Sequence, residues 1–505
     1  MTRLTEDSLE FARIHIAKYY DSDFFPRQFE FEALSHSWDE VKHYLSASNV
    51  SKLHVSSPLT VPAPKPSGTY RVVHQLEPLE ALTYTALAYQ VAPSIERARC
   101  PVDQKIACSY RFDVRDGNFF SAGTGYSDFF QKTEDLSDEY TYVLTTDITD
   151  FYNQIYLHRL NNAIEFSDEN LKSVSDDIEV FLGALNNKSS QGVPVGPAAS
   201  IIMSEAVLLD IDNCIVGKGV PHTRYVDDFR IFSNSKIELQ HILQELTVYL
   251  YKHHRLTLAS HKTAILESDR FVADRLHNAY AEEKIEILQT LEVFNPYTEE
   301  IEEIEIELDE IELLEAALAN GFEKLVDREE LDLGLARTLL RKAKRQETPI
   351  FIEALLDNFE FFSPAINDVC LYLSTVLTDD LINDLSSKFI AVTSSAPYRN
   401  SLVRLWMDWL FSSKESFLDI REIYESVRQN QHLEIQARAA IIKRDLPWAR
   451  EKKDELYRAS SSERRAIIRA SQILPSDERR HWLRLTQNGP WPIDSWVAKW
   501  VLDVF

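Results

Sequence analysis

Hydrophobic and polar positions alternate between two rhythms up to about residue 270. Stretches such as "YRVVHQL" (70–76) and "YTYVLTTDI" (140–148) predict strands, whereas "EALTYTALAYQVAPSIERA" (80–98) and "IELQHILQELTVYLYKH" (237–253) predict helices. From about residue 300 onward nearly every segment has helical spacing, broken by turns at Pro364, Pro397, Pro447, Pro475 and the Pro490/Pro492 pair. Segments such as "PIFIEALLDNFEFF", "AINDVCLYLSTVL" and "NSLVRLWMDWLFSS" predict amphipathic helices stacked as hairpins, similar to HEAT-type arrays without a readable consensus. Ser460 and Glu463 offer a capping box. The pattern predicts an α+β chain with a change of architecture between residues 270 and 330.

Inside that boundary the stretch "TEEIEEIEIELDEIELLEAAL" (298–318) is strongly acidic. Its Ile301, Ile304, Leu308, Ile311, Leu314 and Leu318 would form one apolar stripe on a helix.

One short stretch breaks the ordinary rules. "RYVDDFRIF" (224–232) reads as two strands joined by a two-residue turn, a place that favours Asn-Gly or Asp-Gly. Asp227 and Asp228 set two like charges there instead. A hard divalent cation such as Mg²⁺ makes such a pair tolerable, because it binds carboxylate oxygens. Asp147 ends the β-rich "YVLTTD", and "TDFYNQIYLHRL" after it starts a helix with Thr149 or Asp150 as N-cap. A strand-end carboxylate facing the pair would complete a site for two ions roughly 3.5–4 Å apart, the arrangement that clamps attacking and leaving oxygens in phosphoryl transfer.

Composition narrows the setting. The 505 residues exceed one ordinary domain, and no run of eighteen apolar residues or apolar leader is present, so a cytoplasmic protein without a membrane span is expected. Cys100, Cys108, Cys214 and Cys370 lack CxxC spacing, which argues against structural zinc and disulfides. A net charge of −26 disfavours indiscriminate phosphate binding, although the segment from Arg438 to Arg484 is rich in Arg and Lys.

Taken in order, Asp147 with Phe151 and Tyr152, "QGVPVGPAAS", "YVDD" and "LTLASHKT" resemble motifs A to D of reverse transcriptases, and "VPAPKPSGTYRVVHQL" resembles their fingers hairpin. The resemblance covers about residues 50–270. It implies a right-hand fingers and palm domain followed by an all-α helical repeat domain. The expected segments are an N-terminal helical extension (1–50), fingers and palm (51–275), an acidic helical connector (276–325) and the helical repeat (326–505).

The resemblance further implies that Asp147 and Asp227 ligate Mg²⁺, with Mn²⁺ as an alternative ion, and that Asp228 supports them. Tyr152 would crowd a ribose 2′-hydroxyl, Lys65 and Arg71 would meet the triphosphate, and Lys262 would donate a proton to pyrophosphate. Gly192 and Gly196 would let the backbone approach a nucleotide, since neither has a Cβ.

Motif B reads Pro194-Val195-Gly196 where most templated members have something like PQG. "GVPVGPAASIIMSEAVLLDID", with Ser200, Glu205 and Asp212, is instead similar to the bacterial abortive-infection and "unknown group" reverse transcriptases of phage defence. That likeness implies untemplated, protein-primed DNA synthesis from deoxynucleoside triphosphates by a homo-oligomer, trimer or hexamer. The product would be a single strand attached to the protein. Among 21 tyrosines the priming residue is not assigned, Tyr19 and Tyr20 being reachable candidates. Two alternatives stand beside this: a templated enzyme copying a companion RNA, and an inactive scaffold binding a protein partner.

Overall fold

A computed structural model describes residues 3–277 and 308–505 except 21, 23, 122, 124, 488 and 490, together with residue 284, and the backbone alone for 308–314. Among the described residues, eight strands form three sheets. Strands β1 (Leu59–Pro64) and β2 (Tyr70–Gln75) make a hairpin, as do β3 (Phe112–Arg115) and β4 (Asn118–Phe120). The third sheet contains β5 (Tyr142–Asp147), β6 (His222–Tyr225), β7 (Asp228–Ser233) and β8 (Ala264–Glu267), in the order β6-β7-β5-β8 with every pair antiparallel.

β5 is the strand this sheet is built around. Val143, Leu144, Thr145 and Thr146 are buried one after another, so both faces of the strand are covered rather than one. Helices Tyr126–Glu139 and Lys236–Tyr249 pack on the sheet. The helix Ala198–Val216 is apolar nearly all round and correspondingly buried, packing on helices Pro78–Ala98 and Leu157–Ser167.

The chain divides into two compact units: residues 1–22, 42–59 and 74–303, and residues 23–41, 60–73 and 304–505. The first 50 residues split between the units, and the hairpin segment 60–73 groups with the C-terminal helices.

In the second unit helices separated in the chain by one or more others stack on one another: helix Leu333–Arg345 on Ile366–Val376, that helix on Ser401–Phe411, and Leu433–Lys443 on Ser461–Ala470. Asn400 caps its helix by accepting from the amides of Leu402 and Val403. The capping box of Ser460 and Glu463 is present. "PIFIEALLDNFEFF" is not one helix but two short ones, Ile352–Asp357 and Phe359–Phe362. Asn358 interrupts it, its side-chain amide donating back to the Ala354 carbonyl at 2.9 Å, the local competition by which Asn opposes a continuous helix.

Most of the expected connector, including Ile301 and Ile304, lies outside the described residues, as do the side chains of Leu308, Ile311 and Leu314. The helix Leu308–Val326 buries Leu318. Among the described residues no helix is long and apolar enough to cross a membrane, and the four cysteines are free thiols.

Candidate active site

The ladder of the central sheet brings the acidic residues to one end. β5 and β7 run in register from Tyr142 opposite Ser233 to Asp147 opposite Asp228. The strand pair β6 and β7 closes with Tyr225 opposite Asp228, so the two turn residues are Val226 and Asp227. This corrects the turn read from the sequence: Asp228 is the first residue of β7. Val226 has φ +54°, a conformation that a β-branched residue adopts only under constraint.

Beyond the ladder, the Ile148 amide donates to the Asp227 carbonyl at 3.2 Å and the Ala259 amide to the Asp147 carbonyl at 2.8 Å. Backbone alone therefore holds Asp147 beside Asp227 and beside the segment carrying Lys262. The Lys262 ammonium pairs with Asp147, Nζ to Oδ2 2.6 Å.

Burial and the neighbouring Asp147 carboxylate push the Asp227 carboxyl up to about 7. Burial also raises Asp228, with the Arg230 guanidinium pulling the other way. Residues 228 and 230 share a face of the strand. The Arg230 guanidinium sits over Phe129, 4.0 Å from the ring centre, and its Nη1 donates to Thr133 Oγ1 at 2.9 Å.

A divalent ion suits these carboxylate oxygen donors in kind. Among the described residues, however, no three His, Cys, Asp or Glu side chains are gathered at metal-binding spacing. The cation paired with Asp147 is the Lys262 ammonium.

Tyr152 follows on the short helix Phe151–Gln154, whose N-cap position is Asp150 at φ +48°. The Asp150 carboxylate does not cap the helix; it accepts from the Asn153 side-chain amide at 2.7 Å. Tyr152 is tied to motif B twice, its carbonyl accepting from the Val193 amide at 2.9 Å and its hydroxyl from Ser204 Oγ at 3.4 Å.

Motif B also reaches His74. The His74 amide donates to the Val195 carbonyl at 2.9 Å, and the Val195 amide to His74 Nδ1 at 3.0 Å. Gly196, at φ +133°, is required by this packing, since a Cβ there would come 2.5 Å from Ser22 Oγ and 3.2 Å from the His74 carbonyl oxygen. The close approach that glycine permits is thus to the chain itself. Gly192, at φ +99°, would meet the Asn153 carbonyl at 3.4 Å.

Lys65 and Arg71 belong to the β1–β2 hairpin in the second unit. The Lys65 amide donates to the Thr69 carbonyl at 2.8 Å, closing the turn, and Arg71 is exposed on β2. Tyr19 ends helix Glu6–Tyr19, and the Tyr20 hydroxyl accepts from Gln75 Nε2 at 3.0 Å.

Three residues near the turn carry no signal in the motif reading: Arg99, Ser109 and, although it opens the quoted stretch, Arg224. A fully charged side chain at an inward strand position was the available clue for Arg224.

Residues 63–289 match the family of reverse transcriptases, RNA-dependent DNA polymerases. Among solved structures the chain is similar to telomerase from Candida albicans in complex with a fragment of telomeric RNA, at 13% identity and a TM-score of 0.33, covering 79% of this chain and 71% of that one. It is also similar to apo telomerase from Candida tropicalis, at 11% identity and a TM-score of 0.34, covering 75% and 74%. No curated protein matches it. Enzymes of the matched family use divalent metal ions and act on nucleotides. Residues 63–289 thus carry a reverse transcriptase domain, and enzymes built on that domain are nucleotidyltransferases.

Proposed function

We propose that this protein adds deoxynucleotides to a growing DNA strand in bacterial anti-phage abortive infection, without a template and from a protein hydroxyl. The observation that carries the chemistry is the backbone convergence of Asp147 and Asp227 at one end of the central sheet. The motif B departure and the helical region after the palm support the finer reading.

In it, Asp147 and Asp227 hold Mg²⁺, with Mn²⁺ able to replace it, and Asp228 supports them. When bound, the metal lowers the pKa of the attacking hydroxyl and neutralises charge on the phosphates. Tyr152, fixed to motif B by Val193 and Ser204, presents its ring as the barrier to a ribose 2′-hydroxyl. Lys262 releases Asp147 and passes a proton to the departing pyrophosphate. The triphosphate role of Lys65 and Arg71 rests on the sequence resemblance alone.

Purified protein incubated with single deoxynucleotides and Mg²⁺, with no nucleic acid added, tests the proposal. A protein-linked ladder is expected, lost on the order of 10³-fold in Asp227→Asn, as for removal of a preorganised electrostatic group. Strict dependence on added RNA would favour templated copying. Wild-type incorporation by Asp227→Asn would remove the carboxylates from the reaction.

A further inference from the structure

Behind the Val226–Asp227 turn lies a set of charges whose inner members, Arg224, Glu205, Asp212 and Arg99, are buried, while Glu96 and Arg111 at its outer end are partly exposed. Arg224 has 0% exposure. Its guanidinium meets two carboxylates face to face: Asp212, through Nε–Oδ1 at 2.6 Å and Nη2–Oδ2 at 2.7 Å, and Glu205, through Nη1–Oε1 at 3.0 Å and Nη2–Oε2 at 2.8 Å. Glu205 also pairs with buried Arg99, Nη2 to Oε2 3.0 Å, and accepts from the Ser109 hydroxyl at 3.0 Å. Arg99 donates onward to the carbonyls of Ala107, Ser109 and Tyr110. Glu96 then pairs with both Arg99 and Arg111. Three arginines face three carboxylates, and the set is electrically balanced.

Two members of this set end on the strained residue. The Val226 amide donates to Ser109 Oγ at 2.9 Å, and Arg224 Nη1 donates to the Val226 carbonyl at 3.3 Å. The Ser109 hydroxyl gives its proton to Glu205, which leaves a lone pair for the Val226 amide. The backbone around it is fixed as well, the Arg224 amide donating to the Ile106 carbonyl at 2.7 Å and the Cys108 amide to the Arg224 carbonyl at 3.1 Å.

Stability is a poor reason for such a set, because apolar residues of similar volume fill buried space as well or better. A positive φ at a β-branched residue persists only where its surroundings over-determine it. Here both polar groups of the Val226 peptide units are held, and the next residue is Asp227.

We infer that Ser109, Glu205 and Arg224 are positioning residues that hold Val226 in its strained conformation and thereby aim Asp227 toward Asp147. This rests on the reading of those aspartates as the reacting pair. The set acts through the turn and touches no substrate.

Ser109→Ala is the mildest way to cut the network. Exchange of amide hydrogens in the peptide covering residues 222–230 is expected to speed up about 10-fold, the scale of one lost buried hydrogen bond. This reads the network whether or not the chain polymerises. The kcat for nucleotide incorporation is expected to fall about 10- to 100-fold with KM nearly unchanged. Adding Val226→Gly should recover most of that loss, since glycine adopts positive φ without strain. A merely structural defect would not respond to glycine in the turn.

Unchanged exchange in Ser109→Ala, or a kcat loss that Val226→Gly leaves in place, overturns the inference. If Ser109→Ala fails to fold, Glu205→Gln carries the same exchange and kinetic measurements. Wild-type incorporation by Asp227→Asn would instead sink the catalytic reading, while the exchange result still decides what the network does.

Discussion

Arg224 and Arg465, one in each unit, are both buried arginines bonded to carboxylates, yet they are put to different uses. Arg465, 1% exposed in its side chain, bonds Glu30 through Nε–Oε1 at 2.7 Å and Ser461 Oγ at 2.7 Å, joining helix Ser461–Ala470 to helix Glu30–His36. Nearby, Arg464 bonds Asp494 at 2.6 Å and lies on the Trp491 ring at 3.8 Å. These pairs connect helices to one another. Arg224 reaches past its carboxylates to the carbonyl of a turn residue. The lesson is that burying an ion pair says little by itself about purpose; where its remaining donors end says more.

The comparison breaks most easily at Arg465. Arg465→Met leaves the Glu30 carboxylate buried without its partner and should cost about 3–5 kcal/mol, read as a lower urea midpoint. The kcat of the folded fraction should not change. Combining it with Glu30→Leu should restore most of the stability. A kcat loss without a stability loss would put Arg465 in the same class as Arg224.

His15 sharpens the contrast from the first unit, since it is buried and, among the described residues, meets no charged partner. Its ring Nδ1 donates to the Gly117 carbonyl at 2.8 Å. Burial lowers its pKa from 6.5 to about 4, with that hydrogen bond opposing. The folded protein thus binds this proton less readily than the unfolded chain. The stabilising contribution is full above about pH 6.5 and is lost as pH falls toward 4, about 3 kcal/mol in all. His15→Gln keeps a donor and removes the titration, so its urea midpoint should vary less between pH 6.5 and 4.

The smallest effect belongs to the capping box. Glu463 accepts from the Ser460 amide at 2.8 Å. Ser460→Ala should cost about 1 kcal/mol, seen as faster amide exchange confined to the first turn of helix Ser461–Ala470.

What could be read from the chain alone follows from range. Strand β5, strand β7 and helix Lys236–Tyr249 announce themselves through local periodicity, and Asp147 and Asp227 through motifs a few residues long. The turn was misplaced by one residue because Val at positive φ defies local preference. It is held there by Ser109, 117 positions away. Gly196 stands out as a residue needing freedom, yet only folding shows that Ser22 and His74 are what it makes room for. Glu205 and Asp212 stand out in sequence as acids in an apolar helix, but their bonds to Arg224, and Glu205's to Arg99, appear only in three dimensions.

The position of β5 between β7 and β8 has a consequence for quality control. Side chains alternate faces along a strand, so a slip of one residue against β7 would turn Asp147 to the opposite side of the sheet. No intermediate pairing exists. On the proposed role of Asp147, a misassembled copy would be silent, not sluggish or error-prone, and a cell carrying both forms would see activity scale with the number of correctly zipped molecules alone.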